Sequence, residues 1–178
     1  MPAIPLRKRP YDIAFIAFFV LNLAVVTYII DIEQLIIADP NNFSYPVWPP
    51  APLVDLVHWY GNHYDPLLMA RPPFWRATIW IDVLYFGPFY AFGLYSFIRG
   101  RNWIRVPALV WSGLMLANVS IILFDERFGV TPAPNFLQVV GFNLAWLLFP
   151  LLMIIRMRRD RPFTARVATA EPAAQVAA

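Results

Sequence analysis

One aspartate stands alone inside a long apolar stretch of this sequence. Asp82 is the only Asp, Glu, Lys, Arg or His between residues 77 and 98, a run long enough to cross a bilayer as a helix. A carboxyl group at that depth costs free energy unless it faces protein interior, a partner group or water. We therefore interpret Asp82 as part of a binding or catalytic site within the membrane.

Other polar residues of the apolar stretches lie at a similar depth. At 1.5 Å per residue from the nearest helix ends, Asp82 lies roughly 13 Å, Asn118 roughly 10 Å and Asn143 roughly 12 Å below the same surface. Thr27 and Asp31 share a face near the end of the first stretch. Such a layer can hold the polar end of a hydrophobic ligand, although amides and hydroxyls also serve simply as hydrogen bonds between helices.

Aromatic side chains accompany this layer. Tyr85 is predicted on the helical stripe of Asp82, and Trp146 on the stripe of Asn143. Carboxylates beneath aromatic faces favour a cationic amine or a developing carbocation. The lining therefore indicates an apolar cavity with a few placed polar groups.

Four apolar runs are long enough to position these groups. They cover residues 13–30, 77–98, 106–124 and 136–155. With 60% hydrophobic residues, 14% charged residues and a mean hydropathy of +0.55, the 178-residue chain has the composition of a membrane protein. The sequence predicts an all-α, polytopic membrane protein built as one four-transmembrane-helix bundle.

Charge asymmetry predicts the orientation of the bundle. All but three of the 14 Lys and Arg residues fall on one side, the exceptions being Arg71, Arg76 and Arg127. Positive residues favour the cytoplasmic side, so both termini are predicted to be cytoplasmic. We assign residues 1–10 to a basic cytoplasmic N-terminus, 11–157 to the membrane domain and 158–178 to a disordered cytoplasmic tail. The pI near 9.4 then reflects topology, and nucleic acid is not an expected partner.

The connection between the first two runs is rich in proline and carries both histidines. Pro52 can start a short helix, and its predicted apolar face comprises Leu53, Leu56, Val57 and Tyr60. His58 and His63 are five residues apart and do not share a helical face, so no metal site is predicted, and His58 is expected to pair with Asp55. The chain has no cysteine and no Gly-rich phosphate loop, and no cofactor is expected.

Several ordered motifs resemble the EXPERA domain family. They are Asp31, the run HWYGNHYDPLL at 58–68, PPFW at 72–75, Asp82, Pro88, and RGRNWIRVPAL at 99–109. The resemblance spans about residues 11–157 and is greatest to the sigma-2 receptor branch. It implies an intramembrane pocket for a sterol-like or isoprenoid lipid or a cationic amphiphile, with Asp31 and Asp65 contacting the ligand and Asp82 in the wall.

A second branch of the family implies an alternative function. Asn143 and Trp146 resemble an Asn-x-x-Trp pair of the emopamil-binding proteins, which are sterol isomerases. Thr27 stands where that branch carries a histidine, and Asp82 stands where relatives carry glutamate. The alternative is therefore a sterol Δ8-Δ7 isomerase-like enzyme that shifts a C=C bond by acid/base catalysis, with Asp82 and Asp31 as the candidate catalytic groups.

We expect one ligand-binding site, in a protein of the membrane. The predicted ligand-binding residues are Asp31, Asp65, Asp82, Thr27, Tyr60, Tyr85, Asn118, Asn143 and Trp146. The expected partners are a sterol-like or other hydrophobic small molecule and membrane lipid, and a homodimer is one open oligomeric state. The expected location is the endoplasmic reticulum membrane in a eukaryote or the cytoplasmic membrane in a bacterium. A transporter or a chaperone-like partner of other membrane proteins is a third hypothesis, and four short spans without discontinuous repeats argue against a secondary transporter.

Overall fold

Helices form the whole framework of the protein. A computed structural model describes residues 3–165, and within them no β-strand forms apart from an isolated bridge between Ala3 and Thr164. In chain order, the helices are α1 (Pro10–Ile36), α2 (Ala51–His63), α3 (Leu67–Ala70), α4 (Pro73–Arg99), α5 (Asn102–Phe128) and α6 (Phe136–Arg156). Within the described residues, α1, α4, α5 and α6 are long and apolar enough to cross a membrane. This confirms the predicted four-helix membrane protein, while the cytoplasmic location of its termini stays a prediction.

The half of the bundle nearer the chain termini is filled with aromatic side chains. The rings of Phe18 on α1 and Phe149 on α6 stack with centroids 4.2 Å apart. Gly93 lets α4 approach α1 closely, because a Cβ there would lie 2.9 Å from the ring of Phe19. This half therefore forms a solid base of the bundle, and the open space lies in the other half.

A buried ion cluster closes the bundle at the end that carries the termini. The carboxylate of Asp12 accepts hydrogen bonds from Arg9 and, at 2.7 Å, from Arg156 Nε. The ring of Phe163 lies between the same two guanidinium groups, at 4.9 and 4.8 Å from their central carbons. Two arginines that share one acid and one ring fix the start of α1 to the end of α6.

The first part of the predicted tail packs against this cluster. Phe163 is buried, and its backbone N–H donates to Asn102 Oδ1 at 2.9 Å. The exposed Asp160 pairs with Arg105 at 3.3 Å. Residues 158–165 thus fold back onto the bundle, and the remainder of the predicted disordered tail, 166–178, lies outside the described residues.

Two π-helical segments interrupt the spans that carry the intramembrane acids. They cover Asn22–Asp31 in α1 and Asp82–Phe86 in α4. In the second, the backbone N–H of Gly87 donates to the carbonyl of Asp82, five residues earlier. A π turn holds an extra residue, so the face of Asp82 continues through Phe86 and Gly87. Tyr85 instead points outward and is 47% exposed, which corrects its predicted place on the Asp82 stripe.

Candidate functional site

The half of the bundle away from the termini encloses a cavity of about 480 Å³. Its walls come from α1, α2, α4, α5 and α6, together with the turns around α3. The volume lies in the range of small-molecule sites. Among the lining residues are seven predicted from the sequence: Asp31, Tyr60, Asp65, Asp82, Asn118, Asn143 and Trp146. Tyr85 and Thr27 do not line it.

Asp31 and Asp82 form a carboxyl pair in the cavity wall. They are 2% and 8% exposed, and their carboxyl groups lie within hydrogen-bonding reach of each other. Two carboxylates offer only acceptors, so a hydrogen bond between them requires one shared proton. Oδ2 of Asp31 has no donor among the described residues. The pair therefore contributes to the cavity wall a carboxyl acceptor that the described residues leave without a donor.

Thr27 positions Asp82 from outside the cavity. Its Oγ1 donates to Asp82 Oδ1 at 3.1 Å. The methyl group of Thr27 packs on Gly87, where a Cβ would lie only 2.9 Å away. Thr27 itself lines a separate, smaller cavity of about 210 Å³ between α1 and α4. Thr27 thus positions Asp82, and its direct contact with a ligand stays a prediction.

The wall opposite this pair is fixed by amides. Trp146 Nε1 donates to Asn22 Oδ1 at 2.8 Å, and Asn22 in turn donates to the carbonyl of Phe18 at 2.8 Å. Asn143 donates to the carbonyl of Val139 in its own helix at 3.0 Å. Sequence reasoning missed Asn22, although an amide inside a charge-free run is a usable signal. The Asn22 bond holds the indole of Trp146 at the cavity.

A second acid pair lies at the outer level of the bundle, and Asp65 is its member that lines the cavity. The carboxyl groups of Asp65 and Glu126 are within hydrogen-bonding reach, and Glu126 is 1% exposed. Burial raises the pKa of Asp65, while hydrogen bonds from the backbone N–H groups of Leu68 and Leu67 and from Glu126 oppose that shift. Burial also raises the pKa of Tyr60 to about 12, and the charges of Asp65 and Glu126 add to it. Glu126 was not predicted, because the run DER at the end of an apolar stretch is typical of interfacial charges.

A buried salt bridge ties α2 to the spans above the cavity. Glu33 Oε1 accepts hydrogen bonds from Arg71 Nη2 at 2.6 Å and contacts His58 Nε2 at 2.8 Å. Arg71 adopts a left-handed backbone with φ of 46° and also donates to the carbonyl of Ile37. The predicted pairing of His58 with Asp55 is wrong, because α1 extends beyond the apolar run and brings Glu33 to His58.

The same network reaches the start of α4. Gln34 Nε2 donates to Glu33 Oε2 at 2.6 Å, and Trp75 Nε1 donates to Gln34 Oε1 at 2.8 Å. The network therefore joins α1, α2 and α4. It fixes α2 as a cover over the cavity, and the predicted helix start near Pro52 is confirmed by α2.

The cavity opens between α1, α2 and α6. Lining residues that are also exposed mark this opening, and they are Val25, Leu56, Trp59 and Phe142. All of them are apolar or aromatic. The opening thus matches a hydrophobic molecule better than a hydrated one.

Four apolar spans around an acid-lined cavity describe an all-helical integral membrane protein. A family model described as EXPERA (EXPanded EBP superfamily) matches residues 52–157, and the chain belongs to this family. The chain is 26% identical over 151 residues to Sigma intracellular receptor 2 of Xenopus tropicalis, which covers 79% of this chain and 84% of that protein. It is also 26% identical over 128 residues to Sigma intracellular receptor 2 of Homo sapiens, covering 62% and 71%. The resemblance drawn from the sequence motifs is thereby confirmed.

Replacing Glu33 with glutamine tests the network that holds α2. The change leaves the buried Arg71 guanidinium without its carboxylate, so we expect the opening free energy of α2 to fall by about 3 kcal/mol. Hydrogen exchange of Ala51–His63 measures this, with α5 and α6 as internal references. Asp55→Asn is the matched control, because this exposed acid of α2 contacts only Tyr45 among the described bonds. Equal protection of α2 in both variants would contradict the assigned role.

The raised pKa of Asp65 predicts a pH-dependent stability. A carboxyl whose pKa is raised on folding contributes stability that is complete below its unfolded value near 3.8 and is lost as the pH rises through the folded pKa. Relative to Asp65→Asn, the wild type should therefore lose unfolding free energy above pH 4, by up to about 1.4 kcal/mol per pH unit. Denaturant titrations in detergent measure this difference. Asp39→Asn, at an exposed turn, is the control. A difference in unfolding free energy between the wild type and Asp65→Asn that does not change with pH would contradict the prediction.

Proposed function

We propose that this protein is a binding protein whose intramembrane cavity holds a sterol-like or isoprenoid lipid or a cationic amphiphile. Asp31, Asp65 and Asp82 line the cavity, and none of the lining residues within the described chain is basic. This excess of acids in an apolar site supports the proposal most directly. The relatives are named as intracellular receptors, which agrees with a binding role.

The charge of the lining favours an ammonium group. A carboxyl pair that shares one proton keeps one negative charge in a site with little water, where attraction to a cation is strong. The indole of Trp146, held by Asn22, adds an aromatic face for a cation. An amine docked at Asp31 supplies the cation that the protein does not.

The walls favour a rigid apolar body. Most of the lining consists of aliphatic and aromatic side chains from five helices. Burying such a body removes apolar surface from contact with water or loosely packed lipid, and a rigid ring system loses little conformational entropy on binding. A sterol-like or isoprenoid molecule with one polar end has both properties.

The proposed setting follows the same chemistry. We place the protein in the endoplasmic reticulum membrane if the source is eukaryotic and in the cytoplasmic membrane if it is bacterial. Sterol-like or other hydrophobic small molecules and membrane lipid are the proposed partners. A homodimer is retained as a proposed assembly, and no nucleic acid is involved.

Removing two of the lining acids tests the binding role. In the Asp31→Asn, Asp65→Asn double variant, the affinity for a lipophilic tertiary amine should fall about 10- to 100-fold, because hydrogen bonds to charged groups contribute about 1.5 to 3 kcal/mol. Equilibrium binding to the purified protein in detergent measures the loss.

The matched control is the Asp39→Asn, Asp55→Asn double variant. Both residues are exposed and lie outside the cavity, so the same charge is removed without touching the site. Normal amine retention by the cavity variant, or an equal loss in both variants, would count against the proposal.

The Asp31–Asp82 pair also supports isomerase chemistry as the alternative function. One protonated carboxyl could add its proton to an alkene carbon, and the carboxylate could then remove a proton from the neighbouring carbon, so that the double bond moves with no net change in atoms. Trp146 would stabilise the intermediate carbocation. Thr27 contributes only a hydroxyl to this pair, and that departure makes binding the favoured function.

Deuterium uptake separates the two functions. Purified protein incubated with an unsaturated sterol in deuterated water should leave the sterol unlabelled, because a binding protein does not exchange carbon-bound hydrogen. Mass spectrometry of the extracted sterol detects a single deuterium. Uptake by the wild type that disappears in Asp82→Asn would establish isomerisation instead.

A further inference from the structure

Two acid pairs lie at different levels of the bundle, and Asp31, Asp82 and Asp65 are the members that line the cavity. The inner pair is Asp31 and Asp82, and the outer pair is Asp65 and Glu126. Asp82 lies nine residues into α4, roughly 13 Å from its start, whereas Glu126 lies two residues before the end of α5, roughly 3 Å from it. The two pairs are therefore roughly 10 Å apart along the bundle axis.

One stripe of α5 connects the two levels. Asn118, Ile122 and Glu126 follow one another at intervals of four residues, and Asn118 and Ile122 line the cavity. Their spacing covers roughly 12 Å of helix. An apolar side chain thus separates a polar group at the inner level from an acid at the outer level.

The outer pair has no cation of its own. Both carboxylate oxygens of Glu126 and Oδ1 of Asp65 are buried without a donor among the described residues. The nearest arginines in the chain are engaged elsewhere, since Arg71 binds Glu33 at 2.6 Å and Arg127 lies over the rings of Phe128 and Phe136. With one shared proton, the outer pair keeps one negative charge, as the inner pair does.

We propose that the ligand class preferred by this cavity is an amphiphile with two ammonium groups at the ends of an apolar segment, one group at each acid pair. Glu126 then completes the outer subsite with Asp65. This inference rests on the proposed binding function and specifies its substrate class. A monoamine neutralises one pair and leaves the other acid pair without a counterion, whereas a diamine neutralises both.

A matched pair of amines tests the proposal on the whole protein. The two probes share one apolar body, and they carry either a tertiary amine at one end or tertiary amines at both ends. We expect the diamine to bind about tenfold more tightly than the monoamine, as one additional charge-assisted contact implies. A series of diamines with increasing spacer length should show one optimum.

Variants at the outer pair test whether Asp65 and Glu126 cause the tighter binding of the diamine. Glu126→Gln and Asp65→Asn should each bring the affinity ratio of diamine to monoamine toward one. Asp39→Asn, which changes an exposed acid that does not line the cavity, should keep the ratio. Thermal unfolding of each variant shows that it is folded, and Asp65→Asn decides the question if Glu126→Gln does not fold.

The outcomes separate this inference from the proposed function. Monoamine binding with no diamine advantage in the wild type overturns the two-subsite inference and leaves the binding function standing. A diamine advantage that persists in both outer-pair variants also overturns it. Failure of both probes to bind overturns the proposed amine-binding function itself.

Discussion

The burial of carboxyl groups without neighbouring cations is the constraint on which this structure depends. Where acids only hold the fold together, arginine accompanies them: Asp12 has Arg9 and Arg156, and Glu33 has Arg71. Where acids line the cavity, the protein supplies no cation within the described residues. Burying an unpaired charge is costly, and among the described residues the buried acids without a cation are the three that line the cavity and Glu126 next to Asp65. The distribution of partners thus separates structural acids from those available to a ligand.

The bundle divides into a solid half and a hollow half. Stacked rings such as Phe18 and Phe149 and the cluster around Asp12 fix the helices at the end that carries the termini. At the other end, the helices are held by the Glu33 network and by a smaller apolar cluster of Leu67, Leu68, Trp75 and Ile79. The rigid base therefore maintains the helix spacing that the cavity requires. The π-helical segments Asn22–Asp31 and Asp82–Phe86 lie beside this hollow half. Such irregular turns are often found at functional sites.

The sequence was sufficient for the spans and for the acids and amides of the cavity wall. Four long apolar runs and one isolated acid, Asp82, carry strong physical signals, because both hydropathy and the cost of a buried charge are local properties. Tyr85 was misplaced because a π turn alters the helical period, and nothing in the residue types marks that turn. Glu33 and Glu126 were missed since acids at the ends of apolar runs usually face solvent. Their burial depends on tertiary contacts with Arg71 and Asp65, which no single-sequence pattern encodes.

We propose that the acid-lined apolar cavity holds a ligand within the membrane. Native mass spectrometry of the gently purified protein, followed by lipid extraction and fragmentation, tests this claim most directly. We expect one bound molecule per chain, with a rigid or isoprenoid apolar body and one or two amines or another small polar group. A chain that arrives without a bound molecule, and instead as part of a stable larger complex, would contradict it.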